Sequence, residues 1–381
     1  NLVIMGDGYT EEELITFSSD ADNLTSYIFN TSPLMEYQNY FNVFAINLPS
    51  NESGATHPGN SSDSDCSPVP ILNVNTILDS RFDYYGIHRL LVPQNYSQIN
   101  NIIIDNFPQY DQKIVLVNSS YYGGSGGENA TTSLASSAAE ILVHEIGHSF
   151  AGLADEYWAG DMYADEKPNL TQQNEPELIK WNNWLGENGV GIYPHSGTTI
   201  AESWYRPHNL CKMRFLNYDF CNVCKETIVE TIHDIIEIPL LSYTPIENNL
   251  FIDDSLNFKL ELIKPEPNTL HISWILNGIE LNTENDSITI TTSSLINGVN
   301  NLLVELIDST DFVRHQSHFI NHKYNLSWNI NYEAIGLEDG AGKNIKNLIT
   351  TVDILGKETT NKGFQLHIYD DGSVEKKYLI K

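Results

Sequence analysis

The sequence contains one stretch from which the rest can be interpreted: Val143-His144-Glu145-Ile146-Gly147-His148-Ser149-Phe150-Ala151-Gly152-Leu153-Ala154-Asp155-Glu156-Tyr157. His144 and His148 are four residues apart, so on a helix their imidazole rings project from one face and can bind a single metal ion. Glu145 stands beside the first ring, and a hydrophobic run precedes the motif. The pattern therefore predicts a buried helix that carries a zinc site.

The residue types suit zinc chemistry. Zinc binds neutral imidazole nitrogen, keeps one coordination position open for water and lowers the pKa of that water to about 7. Glu145 can take a proton from the water and pass it to the leaving amine, acting as general base and then as general acid. This arrangement is typical of a metallopeptidase.

Two histidines do not complete a catalytic zinc site, which usually has three protein ligands. Gly152 can end the helix in a left-handed conformation, and two acids follow it closely in sequence. We expect Asp155 to be the third ligand, with Glu156 as the alternative. A distant acid on a later helix, Glu226 or Glu230, is another possibility. A different class of function, an adhesin or binding module with a purely structural motif, predicts no zinc.

The zinc segment resembles the active-site helix of the IgA-peptidase family of zinc metallopeptidases, which are relatives of the metzincins. Two further loops resemble the same family, Gly6-Asp7-Gly8-Tyr9-Thr10 and Ser50-Asn51-Glu52-Ser53-Gly54-Ala55. The metzincin spacing differs by one residue, because Gly152 lies four residues after His148 and not three, although Asp155 is still three after the glycine. The resemblance implies a zinc endopeptidase that acts on a protein or peptide substrate. The substrate would bind extended against an edge strand.

A second segment, residues 204–215, resembles the Met-turn of metzincins. The resemblance implies that Met213 forms a hydrophobic floor beneath the metal without binding it. The string Tyr205-Arg206-Pro207, then Cys211 and Met213, and then Phe220-Cys221-Asn222-Val223-Cys224 extends the likeness to about residue 240. We expect a structural disulfide that braces this turn, with its pairing among Cys66, Cys211, Cys221 and Cys224 left open.

Residues 1 to about 130 alternate hydrophobic strands with helices, which predicts an α/β layer with a mostly parallel sheet. Thr10 and Glu13 form a plausible capping box for the first helix. The zinc helix is expected to begin near Thr132 or Ser133. Together with the family resemblance, which implies a metzincin-like fold, the expected fold class is an α/β metzincin-like zinc peptidase domain over residues 1–240, followed by two β modules.

The two β modules are predicted from different sequence features. Short alternating strands separated by Asn-Gly turns predict an all-β immunoglobulin-like sandwich over residues 241–328. The stretches Asp353-Ile354-Leu355-Gly356-Lys357-Glu358 and Tyr369-Asp370-Asp371-Gly372 resemble the C-terminal sorting domain of the bacterial type IX secretion route. That resemblance implies a small sorting module over residues 329–381, recognised by the secretion machinery, and a secreted or cell-surface protein.

The net charge of the chain bears on which partners it can bind. The chain has 381 residues, with 20 Lys and Arg against 50 Asp and Glu, for a net charge of −30. Such a surface repels nucleic acid and anionic membranes, so we expect neither as a partner. No apolar run reaches the roughly 18 residues of a membrane helix. Because the sequence starts at Asn1 in a strand pattern, we expect a mature or trimmed chain.

Overall fold

A computed structural model describes residues 1–333, 346–360 and 363–379. The chain divides into two compact units, of which the first comprises Asn1–Leu295 with Val299–Asn331 and the second Ile296–Gly298 with Tyr332–Lys381. Residues 334–345, 361, 362, 380 and 381 belong to the expected sorting module and lie outside the described residues. The expected boundary at residue 240 stays a prediction.

The first 239 residues form mixed α/β structure. The helices are α1 (Leu14–Ile28), α2 (Tyr96–Asn106), α3 (Ala138–Ser149) and α4 (Asn222–Ile235). The strands are β1 (Leu2–Asp7), β2 (Val43–Ile46), β3 (Ser80–Arg81), β4 (Val92–Pro93), β5 (Gln112–Val117), β6 (Gly124–Ser125), β7 (Ala130–Thr132), β8 (Tyr193–Pro194) and β9 (Tyr205–Arg206). The capping box is confirmed, since the Thr10 backbone N–H donates to the Glu13 carboxylate at 2.8 Å.

The central sheet has the strand order β2-β1-β5-β7-β6. Its pairs are parallel except for β6 with β7, so the prediction of a mostly parallel sheet is confirmed. The expected start of the zinc helix is wrong by about five residues. Thr132 ends β7, and its side-chain hydroxyl donates to the carbonyl of Ala138, where α3 begins.

Both faces of the sheet are buried. In β1, Leu2 and Ile4 pack into a core with α1, α3 and α4, whereas Val3 and Met5 pack into a second core with α2. Because residues on both faces of the sheet are buried, β1 and β5 are almost continuous hydrophobic runs, as is usual for strands covered on both faces. Helix α3 is therefore fixed against the sheet along one side, and its histidine-bearing end reaches the edge near β6.

The described residues after 239 are mostly β structure. Its elements are β10 (Leu240–Thr244), β11 (Asn249–Phe251), β12 (Ser255–Leu262), β13 (Leu270–Leu276), β14 (Ile279–Glu280), β15 (Ser287–Thr291), β16 (Gly298–Asp308), α5 (His318–Asn321), β17 (Tyr324–Tyr332), β18 (Leu348–Val352), β19 (Gly363–Tyr369) and β20 (Val374–Leu379). One sheet has the order β10-β12-β15 and another β11-β17-β16-β13-β14. Phe258 of the first packs against Trp328 of the second with ring centroids 5.1 Å apart. In the second unit, β18, β19 and β20 form an antiparallel sheet.

Candidate metal centre and peptidase cleft

Helix α3 brings the two predicted histidine ligands together. The Nε2 atoms of His144 and His148 lie 3.1 Å apart. Oδ1 of Asp155 lies 3.0 Å from the first and 3.2 Å from the second. Ligands about 2.0–2.1 Å from one tetrahedral ion lie about 3.3 Å from one another, so these three atoms fit one zinc ion.

Asp155 reaches the histidines because the chain reverses at Gly152. This glycine has a φ of 63°, and its N–H donates to the His148 carbonyl at 3.0 Å. The next N–H, that of Leu153, donates to the Gly147 carbonyl at 3.0 Å. The bond from Gly152 is that of an αL motif, which favours glycine at the left-handed position. The predicted helix end is confirmed.

Two backbone carbonyls orient the imidazoles. Nδ1 of His144 donates to the Lys212 carbonyl at 3.0 Å, and Nδ1 of His148 donates to the Leu153 carbonyl at 2.7 Å. With Nδ1 bonded in this way, each ring directs Nε2 toward Asp155, and Nε2 is the nitrogen that would bind the ion. The sequence did not single out Lys212 or Leu153, although both lie within segments that carry the family resemblance.

The electrostatics keep Asp155 ionised. Burial alone would raise the pKa of its carboxyl group, but hydrogen bonds and charge from the two histidines hold that pKa well below its usual range. Burial raises the pKa of Glu145, and the imidazoles counteract only part of that shift. A carboxylate with a raised pKa takes up a proton more readily near neutral pH, which suits a general base.

Glu145 faces the loop after β6. A Cβ atom built on Gly126 would lie 2.2 Å from Oε2 of Glu145, so only glycine leaves this carboxylate in place. Gly124, Gly126 and Gly127 line the cleft onto which Glu145 opens. The close approach of Gly126 was not predictable from sequence, because neither its spacing nor its neighbours point to Glu145.

Met213 packs directly against helix α3. It is fully buried, and a Cβ atom on Gly147 would lie 2.6 Å from its Sδ. The glycine between the two histidines thus makes room for the methionine. The Met213 carbonyl also accepts a hydrogen bond from the Glu156 N–H at 2.7 Å, which ties the segment after Gly152 to this turn.

The alternative third ligands lie elsewhere. Oε1 of Glu156 lies 3.3 Å from Sγ of Cys224, in a buried cluster of thiols. Glu226 accepts a hydrogen bond from Nε1 of Trp184 at 2.7 Å and from backbone N–H groups at residues 314 and 315. Glu230 contacts His318 and a second histidine on the C-terminal side.

The expected disulfide is wrong. All four cysteines are buried thiols, and Sγ of Cys224 lies 3.7 Å from Cys211 and 3.6 Å from Cys221, against about 2.05 Å in a disulfide. Cys66 lies outside this group, beside His57. The three thiols do contact the segment of Met213, as the sequence implied.

The three candidate ligands open onto a cleft of about 980 Å³. Aromatic and cationic side chains line it as well as Glu145, among them Arg89, Tyr122, Tyr157 and Arg214. The ring of Tyr157 is nearly parallel to that of His144, with centroids 6.5 Å apart. Burial and the charge of Asp155 raise the pKa of the Tyr157 hydroxyl, which therefore remains a proton donor. A cleft of this size accommodates several residues of an extended peptide.

Gly126 provides a test of this geometry. We expect Gly126→Ala to lower kcat about 10²-fold or more, because the new methyl group displaces the Glu145 carboxylate. Zinc content should not change, since no metal ligand moves. Steady-state kinetics with metal analysis of the same preparation checks this, and an unchanged kcat would show that Glu145 does not act from this position.

Comparison with known proteins shows which family the chain belongs to. The family model described as IgA Peptidase M64 matches residues 1–198, just over half of the chain. The chain belongs to this family. The match includes His144, Glu145, His148 and Asp155 and ends before Met213. The expected IgA-peptidase resemblance is confirmed, and membership of M64 supports a peptidase that acts on proteins or peptides.

Other comparisons are weak. No curated protein matches this M64 chain. One solved structure, the Bacteroides ovatus mixed-linkage glucan utilization locus protein SGBP-B in complex with a mixed-linkage heptasaccharide, is 12% identical with a TM-score of 0.17. The similarity covers 34% of this chain and 41% of that one. No helix among the described residues is long and apolar enough to cross a membrane.

Proposed function

We propose that this M64 peptidase is a secreted zinc endopeptidase of metzincin-like type, in which His144, His148 and Asp155 bind the ion. The observation that supports this most is the convergence of two imidazole nitrogens and one carboxylate oxygen within 3.2 Å of one another. The set of two nitrogens and one oxygen is a catalytic zinc set, which leaves a fourth position open to water or substrate.

The residues of the chain divide the chemistry among them. Zinc, when bound, supplies a Lewis acid that polarises the peptide carbonyl and makes water more acidic. Glu145 accepts a proton from the attacking water and then donates it to the nitrogen of the leaving amine. The hydroxyl of Tyr157, protonated and close to the ligands, can donate a hydrogen bond to the oxygen that gains negative charge.

An edge strand beside the cleft supports an extended substrate. Strand β6 is the last strand of the sheet, and Gly126, which Glu145 approaches, directly follows it. Gly124 exchanges backbone hydrogen bonds with the segment at Arg89 and Leu91, so part of this edge is already covered. We propose that the peptide pairs with the backbone beyond β6, at residues 126–127.

Metal removal tests the proposed reaction. A chelator should abolish cleavage of a mixed peptide library by the purified chain, and added zinc should restore it, because the ion supplies electrophile and acidic water together. Mass spectrometry of the products before and after chelation measures this. Cleavage that continues at the original rate after zinc is gone would contradict a zinc peptidase. An absence of both zinc and cleavage would favour the binding-module alternative.

Secretion rests on the C-terminal segment. We propose that residues 329–381 address the chain to the type IX secretion machinery, because the motifs at residues 353–358 and 369–372 resemble that sorting domain. Deleting the segment should leave the protein inside the producing bacterium, whereas the complete chain is found outside. Immunoblots of cell fractions check this, and equal export of both forms would exclude the sorting role.

A further inference from the structure

A second cluster of metal-ligating side chains lies in the segment that precedes the cleft. It comprises His57, Cys66, Asp83 and His88, here called the loop cluster. All four are buried, with at most 4% of each residue exposed. Their candidate ligand atoms all lie within 4.8 Å of one another. A carboxylate buried this completely is costly unless cations or several donors compensate its charge.

The separations in the loop cluster are those of atoms around one ion. Nε2 of His57 lies 3.4 Å from Sγ of Cys66 and 3.3 Å from Oδ2 of Asp83, and the thiol lies 3.6 Å from Oδ1 of Asp83. Tetrahedral zinc with ligands at about 2.0–2.3 Å separates them by about 3.3–3.6 Å. Nδ1 of His88 lies 2.8 Å from Oδ1 of Asp83.

The hydrogen bonds identify which atoms face inward. Nδ1 of His57 lies 2.9 Å from the Pro70 carbonyl, which can only accept, so Nδ1 carries the proton. In the neutral ring, Nε2 then directs a lone pair at the Asp83 carboxylate, and two acceptors face each other. A cation between them resolves this conflict, either a bound metal or a proton on the ring.

The position of the loop cluster indicates that a bound ion would stabilise residues 57–93. Residues 57–93 contain only short elements, the two-residue strands β3 and β4 and a 3-10 turn at Tyr84–Gly86, and residues 58 to 65 are mostly exposed. The backbone hydrogen bonds of this segment belong mostly to isolated turns and bridges, so one ion bound by side chains from separate turns would stabilise it further. His88 is followed directly by Arg89 and Leu90, which line the peptidase cleft.

We propose that the loop cluster binds a structural zinc ion that fixes one wall of the cleft. Four protein ligands, including one thiolate and two imidazoles, fill a tetrahedral zinc site and leave no position for substrate. A thiolate beside imidazole also selects zinc over calcium and magnesium, which prefer oxygen. The proposal does not depend on peptidase activity, because the ion would be held whether or not the catalytic site cleaves peptides.

A separate observation supports a second site, which begins with Glu156, the residue after Asp155. Three thiols and the carboxylate of Glu156 form a buried group, here called the thiol cluster, with Cys211, Cys221 and Cys224. The Cys221 N–H donates to Sγ of Cys211 at 3.3 Å, a contact that stabilises a thiolate. Cys221 and Cys224 occupy the start of α4, where the helix dipole favours negative charge.

Glu156 completes the argument for the thiol cluster. It is fully buried, Oε1 faces the thiols, and Oε2 has no hydrogen-bond partner among the described residues. Asn169 donates to Oε1 at 3.3 Å, and three thiols cannot all pair, so a disulfide would still leave one thiol unpaired and Oε2 without a partner. A zinc ion bound by three thiolates and Glu156 satisfies every member. It would also hold the turn that supplies the Lys212 carbonyl to His144.

Zinc content of the full-length chain tests both sites. Native mass spectrometry should find three zinc ions per wild-type chain. Asp83→Asn and Cys221→Ser should each lose one, while Asp65→Asn, which removes the same charge from an exposed position of the same loop, should keep three. Each site variant that retains all three ions overturns its own site. A wild-type chain whose zinc content falls neither in Asp83→Asn nor in Cys221→Ser overturns both.

Measurements on the wild-type chain decide the matter if a variant fails to fold. Removing zinc should speed amide hydrogen exchange over residues 57–93, and unchanged exchange there would overturn the loop site. Thiol titration of the denatured chain, with chelator and without reductant, should find four thiols. Two thiols would show a disulfide and overturn the thiol site. Neither result depends on whether peptides are cleaved.

Discussion

Replacing Glu145 with glutamine should lower kcat by about 10²–10⁴-fold while the chain keeps its catalytic zinc. The amide has the shape of the carboxylate but cannot accept a proton from water, so the loss falls on the chemical step. In free energy this is about 3–5 kcal/mol of transition-state stabilisation. Glu145 lies next to His144 but is not among the atoms that converge on the ion, so ligand geometry should be unchanged.

Steady-state kinetics and metal analysis of one preparation measure this prediction. Glu202→Gln is the matched control, since Glu202 is exposed and distant in sequence from the site. We expect the control to cleave at the wild-type rate. If Glu145→Gln also cleaved at that rate, Glu145 could not be the general base, and if it lost zinc, the carboxylate would be a ligand instead.

Replacing Asp155 with alanine should weaken zinc binding by more than about 100-fold and lower activity in parallel. The substitution removes the oxygen that lies 3.0 and 3.2 Å from the two imidazole nitrogens and leaves only two ligands. Loss of contacts that merely orient a ligand costs about 10–100-fold in affinity, so loss of a ligand should cost more. Excess zinc should restore part of the activity.

Competition with a zinc-binding dye measures that affinity. Asp165→Ala is the control, because Asp165 is exposed and belongs to the same acidic segment. Its zinc affinity should equal that of the wild type. Wild-type affinity in Asp155→Ala together with loss of zinc in Glu226→Gln would instead support the alternative with a distant third ligand.

Local signals predicted the centre of this site well. The spacing of His144 and His148 fixes their common face on any helix, and Gly152 adopts the left-handed conformation expected of it. Asp155 then follows from the turn. These features involve residues within eleven positions of one another, so the sequence constrains their geometry almost completely.

Features that depend on residues far apart in the sequence were harder to predict. The helix was expected to begin too early because Thr132 belongs to a strand that only tertiary pairing reveals. The loop cluster was missed because its ligands, from His57 to His88, come from separate turns with no regular spacing. The cysteines were assigned to a disulfide because pairing is the usual outcome for an exported chain. The buried carboxylate of Glu156, which changes that interpretation, is visible only in three dimensions.

Anomalous diffraction at the zinc absorption edge, from crystals of the wild-type chain grown with zinc and without chelator, tests the central claim most directly. We predict an anomalous peak about 2.0–2.2 Å from Nε2 of His144, Nε2 of His148 and Oδ1 of Asp155. A zinc-loaded crystal with no peak at these three atoms, or with a peak there from which Asp155 is turned away, would contradict the account.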